Sequence, residues 1–154
     1  MTRDSDFKQV VRARMAETGE PYTAARAALE ADARQEAYAA ARADQLRLVA
    51  RLFTDGRIER VPAKRKVRVG VLLEVLSRFE PGRDYAEPEV NEVLLGVHED
   101  FAYLRRELVN YRYLRREHGR YRTAARAPER TPLELQEIPA WEAHWLPGFL
   151  AGTG

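Results

Sequence analysis

Apolar residues recur at steps of three and four along three stretches in the middle of the chain, which is the spacing of an amphipathic helix. The stretches cover residues 69–79, 90–97 and 101–111. Asp100 precedes the third stretch, and its carboxylate is expected to cap that helix by accepting a bond from a backbone N–H group. The pattern therefore predicts three helices that share one core.

Short alternating stretches flank these helices. Residues 57–61 alternate as a strand does, and residues 114–117 and 120–123 lie on either side of His118-Gly119, where glycine allows a tight hairpin turn. A strand, three helices and a two-stranded wing predict a winged helix-turn-helix domain over residues 56–123. Its third helix, residues 100–111, would enter the major groove of DNA. The fold class is mainly α with a minor β component.

The region before this domain, residues 1–55, has the pattern of two helices. The first is predicted to end at Thr18-Gly19, and Thr23 is expected to cap a second, alanine-rich helix that reaches Phe53. The pair resembles a helix-turn-helix hairpin, but it also fits two packed helices with no role in binding. For residues 31–43 we favour a solvated connector or a helix-packing surface.

The last segment, residues 124–154, is expected to form a tail, because four prolines oppose long regular elements there. Its large apolar side chains would be costly to expose. The tail should therefore dock on the N-terminal helices, on a second protomer or on another protein. The side chains concerned are Leu133, Leu135, Ile138, Trp141, Trp145, Leu146, Phe149 and Leu150.

Composition argues against several classes of chemistry. The chain has no cysteine, and its three histidines are dispersed, so no disulfide, thiol nucleophile or metal-ligand spacing is present. There is no phosphate-binding glycine loop or nucleophile elbow, and we predict no enzyme, cofactor or metal site. No apolar run approaches the roughly 20 residues of a membrane span, and the polar N-terminus is unlike a signal peptide, so we expect a cytoplasmic protein.

The net charge is only +2, but its distribution is uneven. Residues 57–123 carry 15 basic and 11 acidic side chains, and residues 124–154 carry 2 and 4. Within residues 104–122 seven arginines face two glutamates, which is a pattern typical of phosphate binding. The predicted nucleic-acid contacts are Tyr103, Arg105, Arg106, Asn110, Arg115, Arg116, Arg120, Arg122, Lys64, Arg65 and Lys66. Tyrosines interleaved with the arginines would also suit base stacking on RNA.

Residues 52–122 resemble the bacterial family catalogued as domain of unknown function 2087, whose members are commonly described as transcriptional regulators. The matching blocks include Phe53-Thr-Asp-Gly-Arg57, Arg78-Phe-Glu-Pro-Gly82, His98-Glu-Asp100 and Leu104-Arg-Arg-Glu-Leu-Val109. One departure is Ala86, where the family has Ser or Thr, and losing that hydroxyl should cost the next helix about 1 kcal/mol. The resemblance also implies that the reader of DNA could be a separate segment, here residues 6–29. The central domain would then serve dimerisation or sensing.

These patterns together favour a DNA-binding transcriptional regulator that contacts duplex DNA through its third helix and wing. Assembly as a homodimer is left open. One alternative is a protein-interaction or oligomerisation module in which the winged helix is a scaffold. The other is a protein that binds RNA or the ribosome.

Overall fold

A computed structural model describes residues 3–152 of the chain. Over this range the chain forms seven helices and two small antiparallel sheets, which confirms the mainly α prediction with a minor β component. Contacts divide the chain into two compact units, Met1–Ala40 and Ala41–Gly154. None of the helices within residues 3–152 is both long and apolar enough to cross a bilayer.

Two helices open the chain, α1 (Arg3–Thr18) and α2 (Tyr22–Leu52). Helix α1 ends where predicted, because Gly19 takes a φ of 76° and donates its N–H to Met15, 2.9 Å away. Thr23 was expected to cap α2, but the helix begins at Tyr22, so Thr23 lies inside it. Pro21, whose fixed φ suits a helix start, supplies the first carbonyl acceptor, to Ala25.

A short hairpin follows α2, and its two strands, β1 (Phe53–Thr54) and β2 (Arg57–Ile58), have two residues each. The turn residues Asp55 and Gly56 both have positive φ, 53° and 79°, as a tight hairpin turn requires. The predicted strand over residues 57–61 is therefore shorter than expected, and it pairs with the residues immediately before it rather than with the wing.

The predicted three helices and wing are all present in the second unit. They are α3 (Arg65–Leu76), α4 (Glu87–Leu95), α5 (Phe101–Asn110), β4 (Leu114–Glu117) and β5 (Arg120–Thr123). Asp100 caps α5 as predicted, accepting from the backbone N–H of Tyr103 at 3.2 Å. Ala86 offers α4 no side-chain cap, and Glu89 instead accepts a hydrogen bond from the backbone N–H of Ala86 at 2.8 Å, which is one half of a capping box.

A third strand, β3 (Tyr85–Ala86), joins the wing and was not predicted. It pairs with β5, with Tyr85 opposite Tyr121, so the sheet order is β3-β5-β4. The third strand of the sheet thus lies between α3 and α4 rather than before the first helix of the domain. Two residues are too few to show an alternating pattern, which is why the sequence did not reveal this strand.

The tail contributes two helices, α6 (Pro132–Leu135) and α7 (Trp141–Leu150). The prolines oppose regular structure less than expected: Pro132 occupies the first turn of α6, and Pro147 lies inside the ten-residue α7. The main hydrophobic core contains side chains of α3, α4, α5, the wing and the tail. Its fully buried members include Leu72, Leu76, Val90, Leu94, Leu104, Leu108 and Leu146.

A buried ion pair fastens the tail to the end of α5. The side chains of Arg130 and Glu142 are 4% and 6% exposed, and Arg130 Nη2 lies 2.7 Å from Glu142 Oε1. The same guanidinium donates to the backbone carbonyl of Tyr111 at 2.8 Å, and the Tyr113 hydroxyl donates to Glu142 Oε1 at 2.5 Å. Burial and the neighbouring Glu142 carboxylate raise the pKa of Tyr113, so this hydroxyl stays a donor.

Truncation of a core leucine should be far more costly than truncation of an exposed one. Leu104 is 0% exposed and Leu133 is 74% exposed. We expect L104A to lower the free energy of unfolding by about 3 kcal/mol, because it leaves a cavity, and L133A by less than about 0.5 kcal/mol. Urea denaturation followed by circular dichroism measures both, and equal losses would contradict this core.

Neutralising Glu142 should destabilise the fold, because the buried Arg130 guanidinium then loses its nearest counterion and keeps the longer contact to the partly exposed Glu134, 3.5 Å from Arg130 Nη1. We expect E142Q to lower the free energy of unfolding by about 3 kcal/mol. The matched control is E129Q, which removes an exposed carboxylate from the same tail and should leave stability nearly unchanged. A result in which both variants unfold at the same urea concentration would show that the pair does not hold the tail.

Candidate functional site

A groove runs between α5 and the wing, with a volume of ≈ 250 Å³. One wall is a single face of α5, because its residues there are spaced three and four apart. The other wall comes from the sheet. The lining residues are Ala102, Arg105, Arg106, Val109, Asn110, Arg116 and Tyr121. Four residues of the predicted interface, three arginines and one asparagine, therefore share one concave surface.

The groove is cationic. Three guanidinium groups line it, and none of the described residues that line it carries a carboxylate. Arg106 lies 5.6 Å from the ring centroid of Tyr103, and Arg116 lies 5.9 Å from that of Tyr121. Such contacts orient a guanidinium without neutralising its charge, so the groove keeps its attraction for anions.

Neighbouring side chains hold the groove in shape. Arg105 Nη1 donates a hydrogen bond to Asn91 Oδ1 of α4, and the Tyr121 hydroxyl donates to Glu87 Oε1 at 2.8 Å. Burial and the Glu87 carboxylate raise the pKa of Tyr121, which keeps this phenol neutral. Helices α4 and α5 and strand β5 are thereby linked by side-chain hydrogen bonds beside the arginines.

The remaining wing arginines lie on the opposite face of the sheet. Neighbouring residues on a strand point to opposite faces, so Arg115 faces away from Arg116. Arg115 stands directly across from Arg122, and Glu117 across from Arg120. These four residues line a second hollow of ≈ 260 Å³ together with Asp84 and His118. Two carboxylates offset the arginines there, and Arg120 is paired with Asp84 at 3.3 Å.

Comparison with known families identifies the central segment. Residues 57–123 match the model of a family described as an uncharacterized protein conserved in bacteria (DUF2087). This segment is similar to that family over less than half of the chain. The match confirms the resemblance that the sequence blocks indicated. Neither the curated proteins nor the solved structures include one that matches the chain.

The basic run of residues 64–66, at the start of α3, faces the tail. Lys64 is the residue that precedes α3, and Arg65 Nη1 lies 2.8 Å from Glu137 Oε2. Lys66 lines a cleft with Trp141. All three side chains are exposed, but none of them lines the α5 groove. These three predicted contacts are thus separate from the arginines that α5 and the wing bring together.

Besides the apolar Ala102 and Val109, two polar residues that shape this site were not among those predicted. Asn91 holds Arg105, and Tyr121 forms part of the wall of the groove. The alternation of exposed and buried residues along β5 could have indicated that Tyr121 shares a face with Arg116. Asn91 gave no such signal, because its role depends on the packing of α4 against α5. Within residues 3–152 the His, Asp and Glu side chains form no cluster that could hold a metal ion.

Proposed function

We propose that the central segment, residues 57–123, is a winged helix that binds duplex DNA in the cytoplasm, and that the protein is a transcriptional regulator. One observation carries this proposal: α5 and the wing together form a groove with three arginines and no lining carboxylate. Phosphate groups are the anions that such a surface attracts most strongly in a nucleic acid. The helix-turn-helix order of α4 and α5 fits insertion of α5 into a major groove.

The side chains divide naturally between two tasks. Arg105 is held by Asn91, and Arg116 lies on the wing, so we assign both to the phosphate backbone. Arg106 and Asn110 are exposed on α5, and we assign them to base edges, where arginine suits guanine and asparagine suits adenine. The groove offers cations and hydrogen-bond donors, so we propose a binding role and no catalytic one.

Burial of two of the four tyrosines near the arginines favours duplex DNA over single-stranded RNA as the ligand, and Tyr103 is half-buried on α5. Base stacking needs exposed aromatic rings. Tyr113 and Tyr121 are 0% and 3% exposed, and Tyr111 packs against the core. In the same way, Leu146 and Phe149 of the tail are buried within the chain, which disfavours α7 as the docking segment for another protein, whereas Leu133 of α6 is exposed.

Removal of the two α5 arginines should weaken DNA binding and its dependence on salt. We expect R105A/R106A to weaken binding and to reduce the slope of log affinity against log salt by about one, because only Arg105 of the two is assigned to phosphate and each phosphate contact contributes about 0.9. Fluorescence anisotropy with a random-sequence duplex measures the slope. R47A/R51A on α2 removes the same charge and should leave the slope unchanged. If both double variants behave alike, α5 is not the DNA-contacting surface.

The two faces of the wing should differ in their effect on DNA binding. Arg115 and Arg116 are adjacent in sequence, but only Arg116 lines the α5 groove. We expect R116A to weaken binding to a duplex about tenfold and R115A to weaken it less than threefold, because a phosphate contact is worth roughly 1 to 2 kcal/mol. A larger loss in R115A would place the DNA on the other face of the sheet.

A further inference from the structure

A further concave surface lies where the last part of α2 meets α3 and α7, and it shares no lining residue with the α5 groove. Its volume is ≈ 300 Å³, at the lower end of the range for small-molecule sites. Most of its lining is apolar, with one acidic side chain. The residues that define it are Leu46, Val49, Leu73, Glu74, Trp141 and Trp145. We call this hollow the tryptophan pocket.

Both tryptophans of the chain contribute to this pocket. They lie four residues apart on α7, and their rings are nearly parallel, with centroids 6.3 Å apart. Trp145 also stacks on Phe149, with centroids 4.5 Å apart, so three aromatic rings of α7 form one continuous wall. Leu46, on α2, is 56% exposed. An aromatic wall beside an exposed leucine is a surface that gains free energy when an apolar group covers it.

Glu74 is the acidic side chain of the pocket, and it is half-buried on α3. Within residues 3–152 its carboxylate accepts no hydrogen bond and forms no ion pair. Burial raises the pKa of Glu74, and the charge of Arg78 acts in the opposite direction without bonding to it. A partly desolvated carboxylate without a hydrogen-bond partner is stabilised most by a hydrogen bond from a cationic N–H donor.

We infer that the tryptophan pocket binds a small aromatic or aliphatic primary amine. The ammonium group would donate hydrogen bonds to the Glu74 carboxylate, and the apolar body would lie against Trp141, Trp145 and Leu46. Arg42, the other charged residue of the lining, is exposed on α2. Its charge disfavours a ligand with a second ammonium group, so a monoamine fits better than a polyamine.

The test uses the full chain and three ligands that differ only in their polar group. Phenethylamine is the cation, 2-phenylethanol the neutral analogue and 3-phenylpropionate the anion. Tryptophan fluorescence reports on the pocket directly, because both tryptophans of the chain line it. We expect phenethylamine to cause a saturable change in tryptophan fluorescence. The other two ligands should bind at least tenfold more weakly, because a charge-assisted hydrogen bond contributes about that factor to affinity.

Two variants connect the signal to the pocket. E74Q should weaken phenethylamine binding about tenfold, because it removes the charge and keeps the shape. L46R places a cation on the exposed rim and should abolish binding, whereas L95R, at a comparably exposed leucine of α4, should leave it unchanged. The inference is overturned if phenethylamine gives no saturable change below roughly 10 mM, a very weak affinity. It is also overturned if the three ligands bind equally or if E74Q binds as the unmodified chain does.

Discussion

The buried pair of Arg130 and Glu142 is the constraint on which the second unit depends. It joins three parts of the chain: the end of α5, the start of β4 and the tail. Arg112, between α5 and β4, adopts a φ of 65°, so the chain turns sharply there. Because the α5 groove has α5 on one side and the wing on the other, the position of this turn sets the width of the groove.

The same pair explains why a tail rich in proline is ordered. Two charges that leave water are costly unless they are paired and their other bonding groups are satisfied. Burial alone would lower the pKa of the Arg130 guanidinium. The hydrogen bonds and the negative charge of Glu142 outweigh that effect, so the pKa of Arg130 is raised. Once Glu142 is fixed, Leu146 and Phe149 follow on the same helix and complete the core.

Much of the central fold could be predicted from the sequence because its signals are local. The apolar spacing, the Asp100 cap and the His118-Gly119 turn each act within a few residues, and the strands 114–117 and 120–123 occur as expected. The two-residue strands could not be predicted, since they exist only through pairing. The order of α7 around Pro147 depends on packing against distant residues, which no local pattern records.

The candidate site was predicted less completely than the fold. Clustering of arginines located α5 and the wing, but charge counts do not show which face each side chain occupies. The register of the wing separates Arg116 from Arg115 and Arg122, and this separation divides one predicted surface into a cationic groove and a mixed-charge hollow. The ion pair of Arg65 with Glu137 likewise depends on where the tail lies.

Amide hydrogen exchange of the full chain, with and without a random-sequence DNA duplex, tests the central claim most directly. It distinguishes the α5 groove from the N-terminal hairpin of residues 6–29, which the sequence left as a competing reader of DNA. Our account predicts slower exchange on DNA binding in α5 and in residues 114–123, with α1 and the start of α2 unchanged. Protection confined to α1 and the start of α2 would contradict it.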